Sequence, residues 1–561
     1  MSNVSYKWFR KGIYPPRVPQ NIDYVALHDY NGKQMILADN LKRSAENFPE
    51  QIYLNFAGTK FTYKSIWDQV LTLATWMESK GITNNDNVAI LMINCVQWVV
   101  AFYAAQYLGC ITTFLNPLHV KNELESMLND SDSKVLLAND FLYDNVYPIK
   151  DNTKLKLVVL TNVGDVFGKL KQKIGIKLGK LPKGSISDPQ AYHWKEILKN
   201  IYTGSYAKQY QPDREDTAVL IYTGGTTGKP KGAMLTHRSI LSNVMYMLYW
   251  TDPPIDENEV FVAALPFFHS FGFIVGIIGI TFVAGELILI PNPRDIGSLL
   301  KEITSNKATF FAGVPTLYIA MLNHPSLPKS DLSTLRICLS AAAPLASEVQ
   351  TKFQELTGTT ILEGFGMTEL SPMATATPIH NPKIGSVGVP IPDTIIKVID
   401  TETGDEVPEG EIGELIVTGP GVMKGYYNKP KETAEIIKNN YLYTGDIGRM
   451  DQDGYFYIVD RKKDMIVVSG FKVFPTEVEE SLFKHPEIEN CAVVGIPDER
   501  TQESVKAFIQ LKKGSSTTKD QLFSFCKENL GKYKQPKEIV LVESLPTSAV
   551  GKVLRKELRH E

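Results

Sequence analysis

Little in this chain of 561 residues marks it as secreted, metal-stapled or nucleic-acid-binding. It has only five cysteines, Cys95, Cys110, Cys338, Cys491 and Cys526, and no two form a CxxC pair. An odd, scattered set in mostly apolar runs argues against a disulfide framework and for buried thiols. No spaced ligand cluster suggests zinc. Charge of one sign is missing too: 59 Lys and Arg stand against 62 Asp and Glu, for a net charge of −3. No global field draws in a polyanion, so no nucleic-acid partner is expected. A small acidic substrate needs only local donors. The opening MSNVSYKWFRKG lacks the apolar segment of a signal peptide. A cytoplasmic enzyme is expected.

Two long stretches lack Asp, Glu, Lys and Arg, 88–120 and 260–285. Their length alone would suit membrane spans. Both, however, are interrupted: the first by Asn94, Gln97, Gln106 and Asn116-Pro117, the second by Pro266, His269, Ser270 and glycines. Such runs also fit fully buried strands and helices of a large parallel sheet, and that is the expectation here.

Along the first half, helix-like and strand-like segments alternate. Helices are expected over 65–80, 96–107, 123–129 and from His237 onward. Strands are expected at 87–92, 111–115, 134–137, 157–160, 216–222, 261–264, 287–290, 309–312, 335–339 and 360–362. That rhythm predicts α/β layers. From Gly385 short β-rich pieces alternate with turns, suggesting a small barrel-like unit over about 385–460. A compact α/β pattern then runs to Glu561. The expected fold is α/β. It has a large N-terminal domain over 1–460, made of layered subdomains plus the β-rich unit, and a small mobile C-terminal α+β domain over 461–561.

Residues 222–232 read YTGGTTGKPKG. A Walker A loop needs Ser or Thr directly after its lysine, and here Lys229 is followed by Pro230. Glycines let backbone N–H groups approach phosphate oxygens, threonines add hydroxyls and lysines add charge. The competing reading is a flexible surface turn.

The loop is one of several motifs that recur in a fixed order. They are YTGGTTGKPKG, GFGMTE at 364–369, YTGDIG at 443–448, DRKKDMIVVSGFKVFPTEVE at 460–479 and PTSAVGKVLRKELR at 546–559. In this set the chain resembles the AMP-forming acyl-CoA synthetases, the fatty acid–CoA ligase branch of the adenylating superfamily. That superfamily also holds luciferases and peptide-synthetase adenylation domains. The resemblance spans nearly the whole chain, and it implies ATP, Mg2+ and coenzyme A.

The resemblance also implies roles. Thr223, Gly224, Gly225, Thr226, Thr227, Gly228 and Lys229 would wrap the phosphates. Thr368 would contact phosphate and Glu369 would hold magnesium. Phe365, with Gly366 after it, would stack beside adenine. Asp446 and Arg461 would take the ribose. Lys552 would reach the α-phosphate and the attacking carboxylate. Asp460 would be the hinge that brings Gly470 to a pantetheine tunnel in place of Lys552. His269, Gly313, Ala341 and Ala342 would line the acyl site, His269 as a gating or positioning group. By this resemblance Lys552, Glu369, Thr368 and His269 are the catalytic set.

Nothing charged at those pocket positions would pair with an amino acid's ammonium, which favours an apolar acid. The expected reaction is ATP-dependent ligation of a medium- or long-chain fatty acid to coenzyme A through an acyl-adenylate, releasing AMP and pyrophosphate. Two alternatives stay open, an aromatic acid–CoA ligase and a carrier-loading adenylation module. Residues 167–183, FGKLKQKIGIKLGKLPK, alternate apolar and lysine positions at helical spacing. They are read either as a basic amphipathic helix on anionic lipid or as a helix or loop covering the protein itself. On the first reading the enzyme would sit peripherally at the membrane.

Overall fold

The computed structural model describes residues 29–559 apart from 31–32, 178–180, 185–187, 200–204, 224–229, 252–254 and 549–550. The charge-poor stretches form its centre. All residues of the helix Val96–Tyr107 are buried, as is the whole strand Asn87–Leu91. Polar residues inside these stretches cross-link them. The Asn94 amide donates to the carbonyls of Ala263 at 3.1 Å and Leu265 at 2.8 Å, and its oxygen accepts from Phe267 N–H at 2.9 Å. Gln106 donates to Thr112 and to the Ala218 carbonyl. The amide donors of Asn94, Gln97 and Gln106 thus find acceptors inside the protein, while the Gln97 and Gln106 amide oxygens have no hydrogen-bond partner among the described residues. Among the described residues, no helix is long and apolar enough to cross a membrane. All five cysteines are free and buried.

Two large sheets carry the N-terminal domain. An eight-stranded sheet places Thr217–Thr223, Ile111–Phe114, Asn87–Leu91, Ser133–Asn139 and Leu157–Thr161 side by side in parallel. At one edge Lys231–Thr236 returns antiparallel to Thr217–Thr223 and pairs with Gly425–Tyr426. A nine-stranded sheet has Glu286–Leu289, Val260–Ala263, Phe310–Gly313, Ile337–Ser340 and Ile361–Phe365 as its parallel centre. Parallel strands buried on both faces read as near-continuous apolar runs. The strand and helix rhythm in the sequence follows from this.

The β-rich unit differs from the expectation in two respects. Its antiparallel sheet starts at Ile395–Ile399, because Val389–Pro390 pairs with Thr375–Ala376 in the nine-stranded sheet. It is also an open five-stranded sheet rather than a barrel. Among the strands, Ile395–Ile399 pairs with Gly413–Thr418 alone, apart from a single bridge from Ile399 to Glu406, while the long strand Tyr441–Met450 serves Gly413–Thr418, Ile437–Lys438 and Phe456–Arg461 in turn. The C-terminal α+β domain has a second five-stranded sheet, with Gln502–Leu511 between Ile488–Asp498 and the parallel Glu538–Leu541. The helices Pro475–Phe483 and Lys519–Asn529 share its core.

Lysine-rich residues Lys169–Lys177 are helical. Phe167 stacks on Phe56 at 5.4 Å, and Lys171 donates to the Ala57 carbonyl at 2.8 Å. Leu181 packs against the main core and lies so close to Gly175 that a Cβ there would stand 2.6 Å from its Cδ1. Two apolar members of the stripe thus face the protein. Ile174 remains exposed. Leu178 lies outside the described residues.

Candidate active site

The strand Thr217–Thr223 ends at the phosphate-loop motif, and Thr223 pairs with Lys231 across the return strand. The connecting Gly224, Gly225, Thr226, Thr227, Gly228 and Lys229 lie outside the described residues. Thr223 Oγ1 donates to Glu369 Oε1 at 3.2 Å. Tyr426 Oη donates to the same oxygen at 2.8 Å. The Lys231 ammonium sits 5.2 Å from the centre of the Tyr426 ring. Glu369 is buried, and its Oε2 has no hydrogen-bond partner among the described residues.

Glu369 follows the strand Ile361–Phe365, which ends in the buried Phe365. The chain then turns at Gly366. A Cβ there would stand 1.9 Å from the Pro372 carbonyl oxygen, so only glycine fits. Thr368 Oγ1 lies 3.2 Å from Ser270 Oγ, which ties this turn to the segment carrying His269. His269 Nδ1 accepts from Phe271 N–H at 3.3 Å, leaving the neutral ring's proton on Nε2. Burial, and after it the Lys552 charge, push this imidazole down to about 4. His269 is therefore neutral at physiological pH.

Asp446 and Arg461 face each other on paired strands, with Arg461 Nε 3.0 Å from Asp446 Oδ1. Burial raises the Asp446 carboxyl, while Arg461 and then Lys552 hold it down. Its Oδ2 is buried with no hydrogen-bond partner among the described residues. A buried carboxylate oxygen without a donor is costly unless a ligand supplies one.

Lys552 comes from the C-terminal domain. It follows a turn in which Ser548 N–H donates to the Lys552 carbonyl at 2.8 Å and Thr547 bridges Val553. Its amine is half-buried and pushed down to about 8 by burial, then by Arg461, with Asp446 opposing. Lys552, Arg461, Asp446 and His269 thus share one field. Asp460 is buried; its Oδ2 accepts from Thr476 N–H at 2.9 Å and Thr476 Oγ1 at 3.1 Å.

Gly470 is not among the residues brought together. It is exposed at φ +84° beside Ser469 at φ +51°, the two-residue turn of a hairpin between Ile466–Val468 and Phe471–Val473. Gly313 is buried at the end of its strand, and Ala341 is buried one residue past the strand Ile337–Ser340. Ala342 is held at φ +74°, a left-handed conformation strained for alanine.

Behind the strand that ends in Phe365 lies an apolar cavity of about 40 Å³. Its walls include Met247 and Trp250 of the helix His237–Trp250, Leu339, Leu362, Met373 and Ala376. No charged side chain among the described residues lines it.

Tyr426 escaped the sequence reading, and Ser270 entered it as a polar interruption without a role of its own. Tyr426 sits in a two-residue strand, too short for any periodic signal, and Ser270 is hidden in an apolar run.

Residues 41–427 match the model of the AMP-binding enzyme family, and residues 477–552 match that of the AMP-binding enzyme C-terminal domain. The chain belongs to the AMP-binding enzyme family. The order of its motifs implied this membership. A long-chain-fatty-acid–CoA ligase of Bacillus subtilis (strain 168) is 38% identical over 539 residues, covering 94% of each chain. One of Escherichia coli O6:H1 is 37% identical over 556 residues, covering 98% of this chain and 97% of the relative. The anthranilate CoA ligase AuaEII, solved with anthranoyl-AMP, superposes with a TM-score of 0.83 at 26% identity, covering 94% of this chain and 97% of that one. In this family setting, the unpartnered Asp446 oxygen, the buried Glu369 and the half-buried Lys552 amine together suit a nucleotide triphosphate.

Proposed function

We propose that the protein ligates a medium- or long-chain fatty acid to coenzyme A in two steps. A carboxylate oxygen attacks the α-phosphorus of ATP, an O–P bond forms, and the bond to pyrophosphate breaks. The thiol sulfur of coenzyme A then attacks the acyl carbon. AMP leaves with the bonding pair, and the thiol proton passes to solvent. The carrying observation is the seam behind Phe365: a mainly apolar wall without a charged side chain among the described residues, on the strand that leads to Phe365 and Glu369. The relatives named long-chain-fatty-acid–CoA ligases, aligned over nearly the whole chain, support the same reading.

The seam has room for only a few waters, so an acyl tail must part its walls. Met247 and Met373 are unbranched and suited to that repacking. An amino acid would leave its ammonium unpaired there.

Roles for the site follow from this reading. Asp446 Oδ2 takes a ribose hydroxyl, Arg461 braces it, and Phe365 lies beside adenine. Residues 223–229 and Thr368 hold phosphate. Lys552 follows negative charge from carboxylate to phosphate, and neutral His269 orients the acyl group by hydrogen bonding. Magnesium fits Glu369. Among the described residues no group of three or more His, Cys, Asp or Glu could cage a metal. Magnesium commonly uses one or two carboxylates and completes its shell with phosphates and water. When bound, it neutralises phosphate charge. We place the domain boundary at 460/461, with Asp460 as hinge. A turn about it would exchange Lys552 for Gly470, whose missing side chain leaves room for pantetheine. Lipid contact through 167–183 is the weaker part of the proposal, because Phe167 and Leu181 already face protein. Liposome flotation with and without anionic lipid decides it.

The deciding experiment is a panel of acids from two to twenty carbons, with benzoate and coumarate, supplied with ATP, magnesium and coenzyme A. AMP and thioester are read together. The expected result is equal AMP and thioester, greatest for medium or long chains. ADP as product, or a preference for the aromatic acids, overturns the proposal. Transfer only to a carrier-bound thiol does so as well.

A further inference from the structure

Lys552 works in the N-terminal domain but belongs to the other one, so something must hold its turn in place. Among the described residues of 547–554, one hydrogen bond joins this turn to the N-terminal domain. Thr316 Oγ1 donates to the Gly551 carbonyl at 2.8 Å, across 235 residues of sequence. Thr316 is the second residue of the helix Pro315–Leu322, which follows the strand Phe310–Gly313 after one residue. Serine and threonine hydroxyls near helix ends often bond to their own backbone. This one reaches across domains.

Gly551 is fitted to the contact in two independent ways. Its φ of +77° lies in the left-handed region that favours glycine. A Cβ there would also stand 2.7 Å from Thr316 Oγ1 and 3.1 Å from Val314 Cγ2. The peptide plane between Gly551 and Lys552 is clamped from both sides. Thr316 holds its carbonyl oxygen, and Ser548 Oγ accepts from its N–H, on Lys552, at 3.1 Å. Because that plane is rigid, fixing both ends fixes the Cα from which the Lys552 side chain starts.

We propose that Thr316 is a positioning residue: its hydroxyl latches the Gly551 carbonyl, holds Lys552 in place for adenylation, and lets go before the thioester step. The proposal rests on the ligase reading above. Thr316 acts through Lys552 and need not touch substrate. One neutral hydrogen bond is weak enough to break in every turnover, so the latch biases the domain without locking it.

The test separates the half-reactions. Thr316→Val keeps the branched shape and loses the donor, while Thr316→Ser keeps the donor. ATP–pyrophosphate exchange with a fatty acid should slow about three- to tenfold in Thr316→Val, the size of one net hydrogen bond. Thioester formation from supplied acyl-AMP should not slow. Thr316→Ser should stay within about twofold of the natural protein, since its donor is intact. Gly551→Ala breaks the same contact from the other side and should give the same split. The double variant should be no slower than the slower single, as expected for one shared interaction. Equal slowing of both half-reactions, undiminished exchange in Thr316→Val, or additive losses in the double variant would overturn the latch. A natural protein that gives no exchange with any acid would overturn the ligase reading, and the latch with it.

Discussion

Arg555 Nη1 donates to Asp460 Oδ1 at 3.2 Å, and Nη2 of the same guanidinium donates to Glu479 at 2.7 Å. Arg555 lies three residues after Lys552. The segment carrying the candidate lysine is therefore tied to the candidate hinge across the proposed boundary at 460/461. The hinge strand itself pairs with the preceding sheet, Asp460 opposite Ile447. Asp460 thus has its backbone in one sheet and its carboxylate in the other domain.

Arg555→Met tests this tie. It strips the ionic partner from the buried Asp460 and the half-buried Glu479 and weakens the field at Asp464. Breaking a buried ion cluster from one side costs about 3–5 kcal/mol. A clear fall in the melting temperature by calorimetry is expected, with slower pyrophosphate exchange. Arg555→Lys should recover only part of this, because an ammonium lacks the two-pronged fork. A melting curve unchanged by Arg555→Met would show that the cluster carries no stability.

Tyr426 contributes one hydroxyl to Glu369, and Tyr426→Phe removes that hydroxyl alone. Hydrogen bonds to charged groups are worth about 1.5–3 kcal/mol. A tenfold or greater rise in the magnesium concentration for half-maximal adenylation is expected if Glu369 holds the ion. The measurement is exchange rate against free magnesium. Unaltered magnesium dependence would remove Glu369 from the metal site.

The pH profile follows from two opposite placements. The Lys552 amine sits near 8, below its ordinary 10.5. It is charged below about pH 8 and loses its proton above, so kcat/KM for adenylation should fall as pH rises through that region. Bound ATP favours the ammonium and should move the kcat limb higher. Glu363, pushed up to about 8 by burial, titrates in the same range. Lys552→Arg separates them: a limb owned by the lysine disappears, whereas one owned by Glu363 stays. His269, near 4, should give no limb between pH 5 and 7. Stability has its own sign. The folded state binds the Lys552 proton more weakly than the unfolded chain, so this residue makes folding more favourable as pH climbs from about 8 towards 10.5.

What the sequence reveals of the fold and site depends on how far apart the interacting residues lie. The helices Val96–Tyr107 and His237–Trp250 were legible because each is bounded by local signals. Thr236 accepts from Ser239 N–H at 3.0 Å as the N-cap of the second, and Gly109, at φ +76°, follows the last turn of the first. Motifs with local order located Glu369, Asp446 and Lys552. Contacts that close over long separations left no local trace. Tyr426 meets Glu369 across 57 residues, and Thr316 meets Gly551 across 235. The pairing of Val389–Pro390 with Thr375–Ala376 is equally silent, since strands of two residues have no period to detect. The spare apolar volume behind Phe365 is a property of packing, which no residue pattern states.

That volume yields the last prediction. Ala376 is buried in the cavity wall, and Ala376→Leu would fill the space without disturbing the nucleotide groups. If the acyl tail enters there, the larger side chain displaces its far end. Each buried methylene is worth about 0.8 kcal/mol, so losing two lowers kcat/KM for hexadecanoate about fifteenfold. Octanoate, which is eight methylenes shorter, should lose far less. Filling a void in the core also tends to raise stability by about 0.5–2 kcal/mol, which separates a specificity change from a damaged fold. The measurement is kcat/KM for both acids alongside a melting curve. Equal losses for the two acids with an intact melting curve would place the tail outside this seam.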